Sequence, residues 1–305
     1  MKKVLLILMC CMAIQSVHAQ DTPKWADKAK KAVFSIVTYD KENKIKNTGN
    51  GFYINNNGTA LSDYSLFEDA ERAVIINADG KELPVTRIAG ANSMYDVIKF
   101  RTETEKKITA LKVATQPAAV GETVYLLPYS TQKAATCQTG KVTQVDTIAD
   151  KAYYYTLTMT TSDKTVSCPI MNANGEVLGL IQKSASEEDK ESYAIGASYG
   201  ESLSISPLSA NDINLNKIGI AKALPETEDQ ALVYLYMSSS QMDAKNYLAT
   251  LNDFLQAYPN STEGYTRRAG YYMNIGDDEH NALAEADLKK AMDVSGNKTE
   301  GQYNV

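Results

Sequence analysis

Two textures of apolar and polar residues divide the chain. From about Lys31 to Ala197 the apolar runs are short: Val33–Thr38, Val74–Ile76, Val97–Phe100, Val124–Leu127 and Tyr153–Met159. Gly, Asn and Asp turns separate them at roughly ten-residue spacing, which predicts an all-β sandwich or barrel rather than alternating βαβ units. Asp79-Gly80 and Asn174-Gly175 are dipeptides that close hairpins. After Pro225 the period becomes helical, with Leu232 and Leu235 in Glu226–Ser239, and Leu248, Leu251, Phe254 and Leu255 in Met242–Tyr258. Pro259-Asn260-Ser261 breaks and recaps the chain, with Glu263 in the next first turn. A second helical pair is expected over Thr262–Asn274 and Asn281–Val294, joined by Gly276-Asp277-Asp278-Glu279. The Ser-, Asn- and Ile-rich stretch 204–224 reads as the linker between the two textures.

The first residues stand outside both. Lys2 and Lys3 precede an apolar run from Val4 to Ile14, and Ser16-Val17-His18-Ala19 offers the small residues a signal peptidase reads. The run is too short to span a bilayer, so residues 1–19 are expected to be a cleaved secretory signal and the mature protein periplasmic or secreted. A lipid anchor on Cys10 or Cys11 is the alternative, but Leu8 and Met9 fit a lipobox poorly. About 285 residues remain, enough for two domains.

Charge and composition narrow the chemistry. A net charge of −6 with both signs interspersed argues against nucleic acid or anionic membrane as partner. Beyond the leader only Cys137 and Cys168 remain. In an oxidising compartment they suggest one disulfide, with two buried free thiols as the alternative. No phosphate loop, zinc spacing or nucleotide fingerprint is present, so no cofactor or metal is expected. Asp277, Asp278, Glu279 and His280 read as a solvated turn, because carboxylates in a row cannot all point at one ion. Tyr153-Tyr154-Tyr155 are good strand formers, and Glu187–Glu191 reads as an exposed acidic loop.

The helical half resembles tetratricopeptide repeats. "AYPNSTEGYTRRAGYYMNIG" sets Tyr265 and Tyr272 around the small Ala269, and "ALAEADLKKAMDVSGN" carries Ala284, Leu288 and Ala291. Small residues there allow close helix packing, and such pairs stack because each leaves an apolar face uncovered. The likeness is imperfect: the first pair is degenerate, and Val305 falls partway into a third repeat's first helix, so the array is expected to be truncated. The resemblance makes residues 225–305 a helical repeat domain, with Tyr265 and Tyr272 as candidate partner contacts.

The β-rich half, assigned residues 20–203, resembles trypsin-like serine proteases of the HtrA type over roughly residues 31–200. "GNGFYINNNGTALSDYSLF" looks like the hairpin leading into the catalytic histidine, and "SMYDVIKF" like the strand whose acid orients it. "VGETVYLLPY" and "CQTGKVTQV" resemble the strands that open a second barrel. "CPIMNANGEVLGLI" resembles the stretch after the nucleophilic serine, and "YAIGAS" the strand lining the substrate cleft. The implied fold is an all-β double barrel of two six-stranded barrels with a site between them.

Carried over by motif, the acid position falls on Asp96. The histidine position falls on Ser65, since Ser62-Asp63-Tyr64 stands where Thr-Asn-Asn or Ser-Asn-Tyr would precede His. The nucleophile position falls on Val166, with the two following glycines replaced by Ser167 and Cys168. A serine hydroxyl needs an oriented imidazole to take its proton. The chain has two histidines, His18 in the leader and His280 in the helical half, so the β-rich half has none. Lys164-Thr165-Val166 also stands where glycine would support an oxyanion hole, whose loss of one donor costs on the order of 3 kcal/mol. Val166, being β-branched, suits a strained elbow badly. Ser167 and Cys168 are the fallback nucleophiles; a dyad with Lys164 is conceivable but lacks an evident partner. The family alignment would let a Cys137–Cys168 bridge clamp this loop. The expectation is an inactive protease homologue of a bacterial envelope, binding protein or extended peptide through its cleft, by strand addition, and through its repeats. The alternatives are a hydrolase using a non-standard or partner-supplied group, and a purely structural envelope component.

Overall fold

The computed structural model describes residues 22–103, 108–149, 152–182 and 190–295. The expected leader with Cys10, Cys11 and His18, most of the 187–191 run, and the end at Val305 lie outside these residues.

Alternation builds the first barrel. In β1 (Val33–Tyr39), Phe34, Ile36 and Thr38 are fully buried while the residues between the last two and after them are half-buried. β1 joins β2 (Ile45–Tyr53), β3 (Thr59–Ser62), β4 (Arg72–Ile76), β5 (Glu82–Asn92) and β6 (Val97–Thr102) in a closed barrel of order β1-β2-β3-β6-β5-β4. Phe34, Phe52, Phe67 and Phe100 fill it. The second barrel uses β7 (Thr123–Leu126), β8 (Gln138–Ala149), β9 (Ala152–Leu157), β10 (Pro169–Met171), β11 (Val177–Ile181) and β12 (Ser192–Gly196). Its order, β10-β11-β12-β9-β8-β7, repeats the wiring of the first. The double barrel expected from the sequence is therefore present.

Both expected hairpin turns form, by the same device. Asn77 Oδ1 accepts the N–H groups of Asp79 (3.0 Å) and Lys81 (2.9 Å), and Asn172 Oδ1 those of Asn174 (3.0 Å) and Glu176 (2.9 Å). Gly175 has a φ of 77° and also faces Trp25: a Cβ there would sit 2.7 Å from the indole Cγ. Trp25 precedes α1 (Ala26–Ala29), donates Nε1–H to the Ala173 carbonyl (3.0 Å) and meets Tyr125 edge to face. Gly175→Ala is therefore expected to cost about 1–2 kcal/mol in urea unfolding, combining left-handed strain with a displaced indole.

Residues 204–224, read from the sequence as a linker, pack against the first barrel. After α2 (Ala197–Ser202), a 3-10 turn (Pro207–Asn211) and α3 (Ile213–Asn216) bury Ile205, Leu215, Ile218 and Ile220 in the barrels' core. The chain then runs beside β5, with Ile88 N–H donating to Ala221 O (2.8 Å) and Ala223 N–H to Ile88 O (2.7 Å). Four helices follow: α4 (Glu228–Ser238), α5 (Ala244–Ala257), α6 (Thr262–Ile275) and α7 (Asp278–Val294), N-capped by Thr227, Asp243, Ser261 and Asp277. With Asp277 as its cap, α7 starts at Asp278, three residues before the expected Asn281. Ala231, Leu235, Leu251, Phe254 and Leu255 form a second small core. Gly264 lets α6 close on Phe254, where a Cβ would come within 2.6 Å. Ala269, Ala284 and Ala291 are buried, and Arg268 grips Asp287 with two bonds of 2.7 Å.

Candidate active site

The first barrel delivers half of the site. β3 ends at Ser62 and the chain passes through extended Asp63 into the turn Tyr64–Leu66. Ser65 donates its backbone N–H to Asp96 Oδ1 (2.6 Å) and its hydroxyl to Asp96 Oδ2 (2.9 Å). Asp96 stands immediately before β6 at a φ of 48°, a left-handed conformation that Asp tolerates better than most residues. The expected acid and the residue at the histidine position are thus brought together. A serine ends where an imidazole would continue to a second nitrogen, so no base reaches beyond Asp96.

Asp63 is the neighbour that sequence reasoning passed over. Its side chain is buried, and Oδ1 has no hydrogen-bond partner. Burial pushes its pKa well above the usual carboxylate range, and the charge of Asp96 pushes the same way. The buried Ser167 hydroxyl lies near enough to pull slightly in the other direction, although no bond of normal hydrogen-bond geometry joins the two.

The second barrel supplies the loop 162–168. Ser162 accepts on its carbonyl from Thr165 N–H (2.8 Å), Thr165 Oγ1 (3.0 Å) and Val166 N–H (3.2 Å). Ser167 N–H donates to Ile181 O (2.9 Å) and Cys168 N–H to Thr165 O (3.1 Å). The amide of the nucleophile position is thus bonded to a carbonyl within its own loop. The strained residue is Ser167 (φ 64°), one position after Val166; it keeps a left-handed conformation where the family pattern has glycine, at a cost of about 1 kcal/mol. Asn50, buried in β2, donates Nδ2–H to Lys164 O (3.1 Å) and Val166 O (2.9 Å), while its own carbonyl takes the Ser62 hydroxyl (2.6 Å). One asparagine therefore fastens the loop to the first barrel. The Asn between two glycines in "GNGF" was the only trace of this in the sequence.

The fallback nucleophiles are poorly placed. Cys168 is fully buried and its thiol is pushed up to about 12, chiefly by desolvation, so thiolate is scarce at neutral pH. Ser167 Oγ is buried while Lys164 lies exposed, so the two form no dyad. The Cys137–Cys168 bridge is also corrected, since both are free thiols. β7 runs between the strands that follow them, Leu126 pairing with Gln138 on one side and Ile170 on the other. Two strand spacings make about 10 Å, beyond the ~7 Å a disulfide spans between Cα atoms. Cys137 is pushed up to about 11 by burial.

The strand expected to line the cleft, Tyr193–Ser198, pairs with β9 on one edge and β11 on the other, then turns into α2 at Ala197. Gly200 of α2 packs on Leu61 and Val97 of the first barrel, and Tyr199 accepts from Asn92 Nδ2 (2.7 Å) and meets Tyr95 edge to face. Gln182 ties in Tyr95 O (2.7 Å) and the Tyr154 hydroxyl (2.6 Å). β12 thus has a strand partner on both backbone edges. In the helical half, Tyr265 commits its hydroxyl to Pro259 O (3.1 Å), and Tyr272 packs on Tyr271 and His280. A groove of about 630 Å³ instead runs past Met242, Tyr247, Arg267, Tyr271 and Ile275. Asp277 is a helix cap, bonded to His280 N–H (2.8 Å) and Nδ1 (2.7 Å).

A family model for the trypsin-like peptidase domain matches residues 49–180, a span holding Asn50, Ser65, Asp96 and the 162–168 loop. Among solved structures, the serine endoprotease from Yersinia pestis is similar at a TM-score of 0.48 and 15% identity, over 57% of this chain. The chain spans 61% of that protein's length. No curated protein matches it. The double barrel is a trypsin-like peptidase domain in fold, followed by a helical region.

Proposed function

We propose that this chain is an exported, catalytically inactive trypsin-like protease homologue that works by binding protein. The observation that carries the reading is Val166: it has no hydroxyl, and its amide donates to Ser162 O instead of facing a substrate carbonyl. Ser65 in place of an imidazole, and the sealed edges of β12, support it. Binding then falls to the helices, which we read as tetratricopeptide-type pairs. Their groove sets Arg267 among Met242, Tyr247 and Tyr271, which suits a segment carrying an acidic side chain beside apolar ones. Export rests on Lys2-Lys3 and the apolar run behind them. Purified protein and Val166→Ala, incubated with fluorescent casein, should both stay at the buffer rate. Turnover by both would overturn the reading and place chemistry away from Val166.

A further inference from the structure

A cavity of about 320 Å³ lies where residues 210–222 meet α4 and α5, apart from the barrel site. Lys222 lines it, with Tyr234, Ser238, Asp243 and Thr250 among its other walls. Backbone pairing of Ala221 and Ala223 to Ile88 fixes the lysine's position. Its Nζ donates to the carbonyls of Ile218 and, at 3.0 Å, Ile220. A neutral amine has two N–H bonds and one lone pair, so these two carbonyls use both N–H groups and leave the lone pair free.

The other polar groups of the wall are mostly spent. Ser238 donates to Tyr234 O (2.7 Å), Thr250 to Asn246 O (2.8 Å), and Asp243 caps α5. Tyr234 is the exception. It is 2% exposed, and its hydroxyl has no hydrogen-bond partner among the described residues. Burial lowers Lys222 to about 8, against the opposing charge of Glu71, and raises Tyr234 to about 12. From about pH 8 upward the cavity therefore holds an available amine beside a protonated phenol. That pair matches a carbonyl group, with one partner attacking carbon and the other donating to oxygen.

We propose that this cavity takes up a small aldehyde or ketone, which Lys222 binds as a Schiff base while Tyr234 donates a hydrogen bond to the carbonyl oxygen. The amine lone pair forms the C–N bond, and the carbonyl π electrons move to oxygen, giving a carbinolamine. Loss of water, carrying both former N–H protons, leaves C=N, with no oxidant or reductant needed. In its protonated form the adduct keeps one N–H for a carbonyl of 218 or 220. The volume lies at the small end of ligand sites.

The test is reductive labelling of the purified full chain with propanal and cyanoborohydride from pH 6 to 10, each lysine followed by peptide mass spectrometry. Lys217 is the comparator, because its pairing with Glu68 raises its pKa. Lys222 should be labelled about tenfold faster than Lys217 at pH 8, with a rate that rises through pH 8 and then levels. Tyr234→Phe keeps the ring in the core and should slow Lys222 alone. Equal rates at Lys222 and Lys217, or an unchanged Lys222 rate in Tyr234→Phe, would overturn the proposal.

Discussion

Asp63→Asn will unfold at a higher temperature than the parent at pH 7, with a gain of about 1–3 kcal/mol, the cost of a buried polar group left without a partner. In the parent, Asp63 Oδ1 is buried without a partner, and burial together with Asp96 raises the pKa. A carboxyl whose folded pKa is raised contributes its stability below the unfolded value of about 3.9. As pH rises from there through the folded value, the unfolded state releases its proton first and stability falls, by up to about 1.4 kcal/mol per pH unit. Asparagine removes that slope and can donate to the Ser167 hydroxyl. It is also the residue of the Thr-Asn-Asn pattern that the family resemblance sets against Ser62-Asp63-Tyr64. Urea titrations of the two proteins between pH 4 and 8 should converge at pH 4 and diverge above it. Parallel curves would show that Asp63 is not held protonated.

The architecture was legible where local pattern and packing agree. Strand positions followed from alternation and from Asn and Gly turns, and three of the four helices end within two residues of their expected limits. The fourth begins early because Gly276-Asp277-Asp278-Glu279 looked like a loop. Acidic residues are equally at home in a first helical turn, where they meet the positive end of the dipole. Residues 204–224 carry their apolar side chains singly, without a period, so nothing local showed that Ile205, Leu215, Ile218 and Ile220 tile a barrel. The Ser65–Asp96 contact was readable because both belong to recognisable segments. Asn50 and Asp63 were not: Asn50 gains its role from residues more than a hundred positions away, and Asp63 from burial and the charge of Asp96, which no local pattern shows. The cysteine expectation failed for a related reason: two cysteines left over constrain number, whereas the intervening β7 constrains distance.

Restoring two triad side chains, in Ser65→His/Val166→Ser, should still leave casein cleavage at the buffer rate. A histidine at 65 would find its acid in place, because Asp96 already accepts the backbone N–H and the side chain of that residue. A serine at 166 would put a hydroxyl at the nucleophile position. What stays missing is the donor for the tetrahedral oxyanion. The amide of residue 166 points at Ser162 O, the carbonyl of the same peptide (Thr165 O) accepts from Cys168 N–H, and Asn50 holds the carbonyls on either side, so the peptide cannot turn over without breaking its own two bonds inside a clamped loop. Loss of one such donor costs about 10²–10³ in rate. Adding Asn50→Ser to the pair would remove the clamp while keeping a small polar group in β2. Reaction with a fluorophosphonate probe should then appear in the triple variant before it appears in the double. Casein turnover by the double variant alone would mean that the loop re-forms an oxyanion hole unaided, and the bonded amide of residue 166 would no longer support the inactivity we propose for the parent barrel.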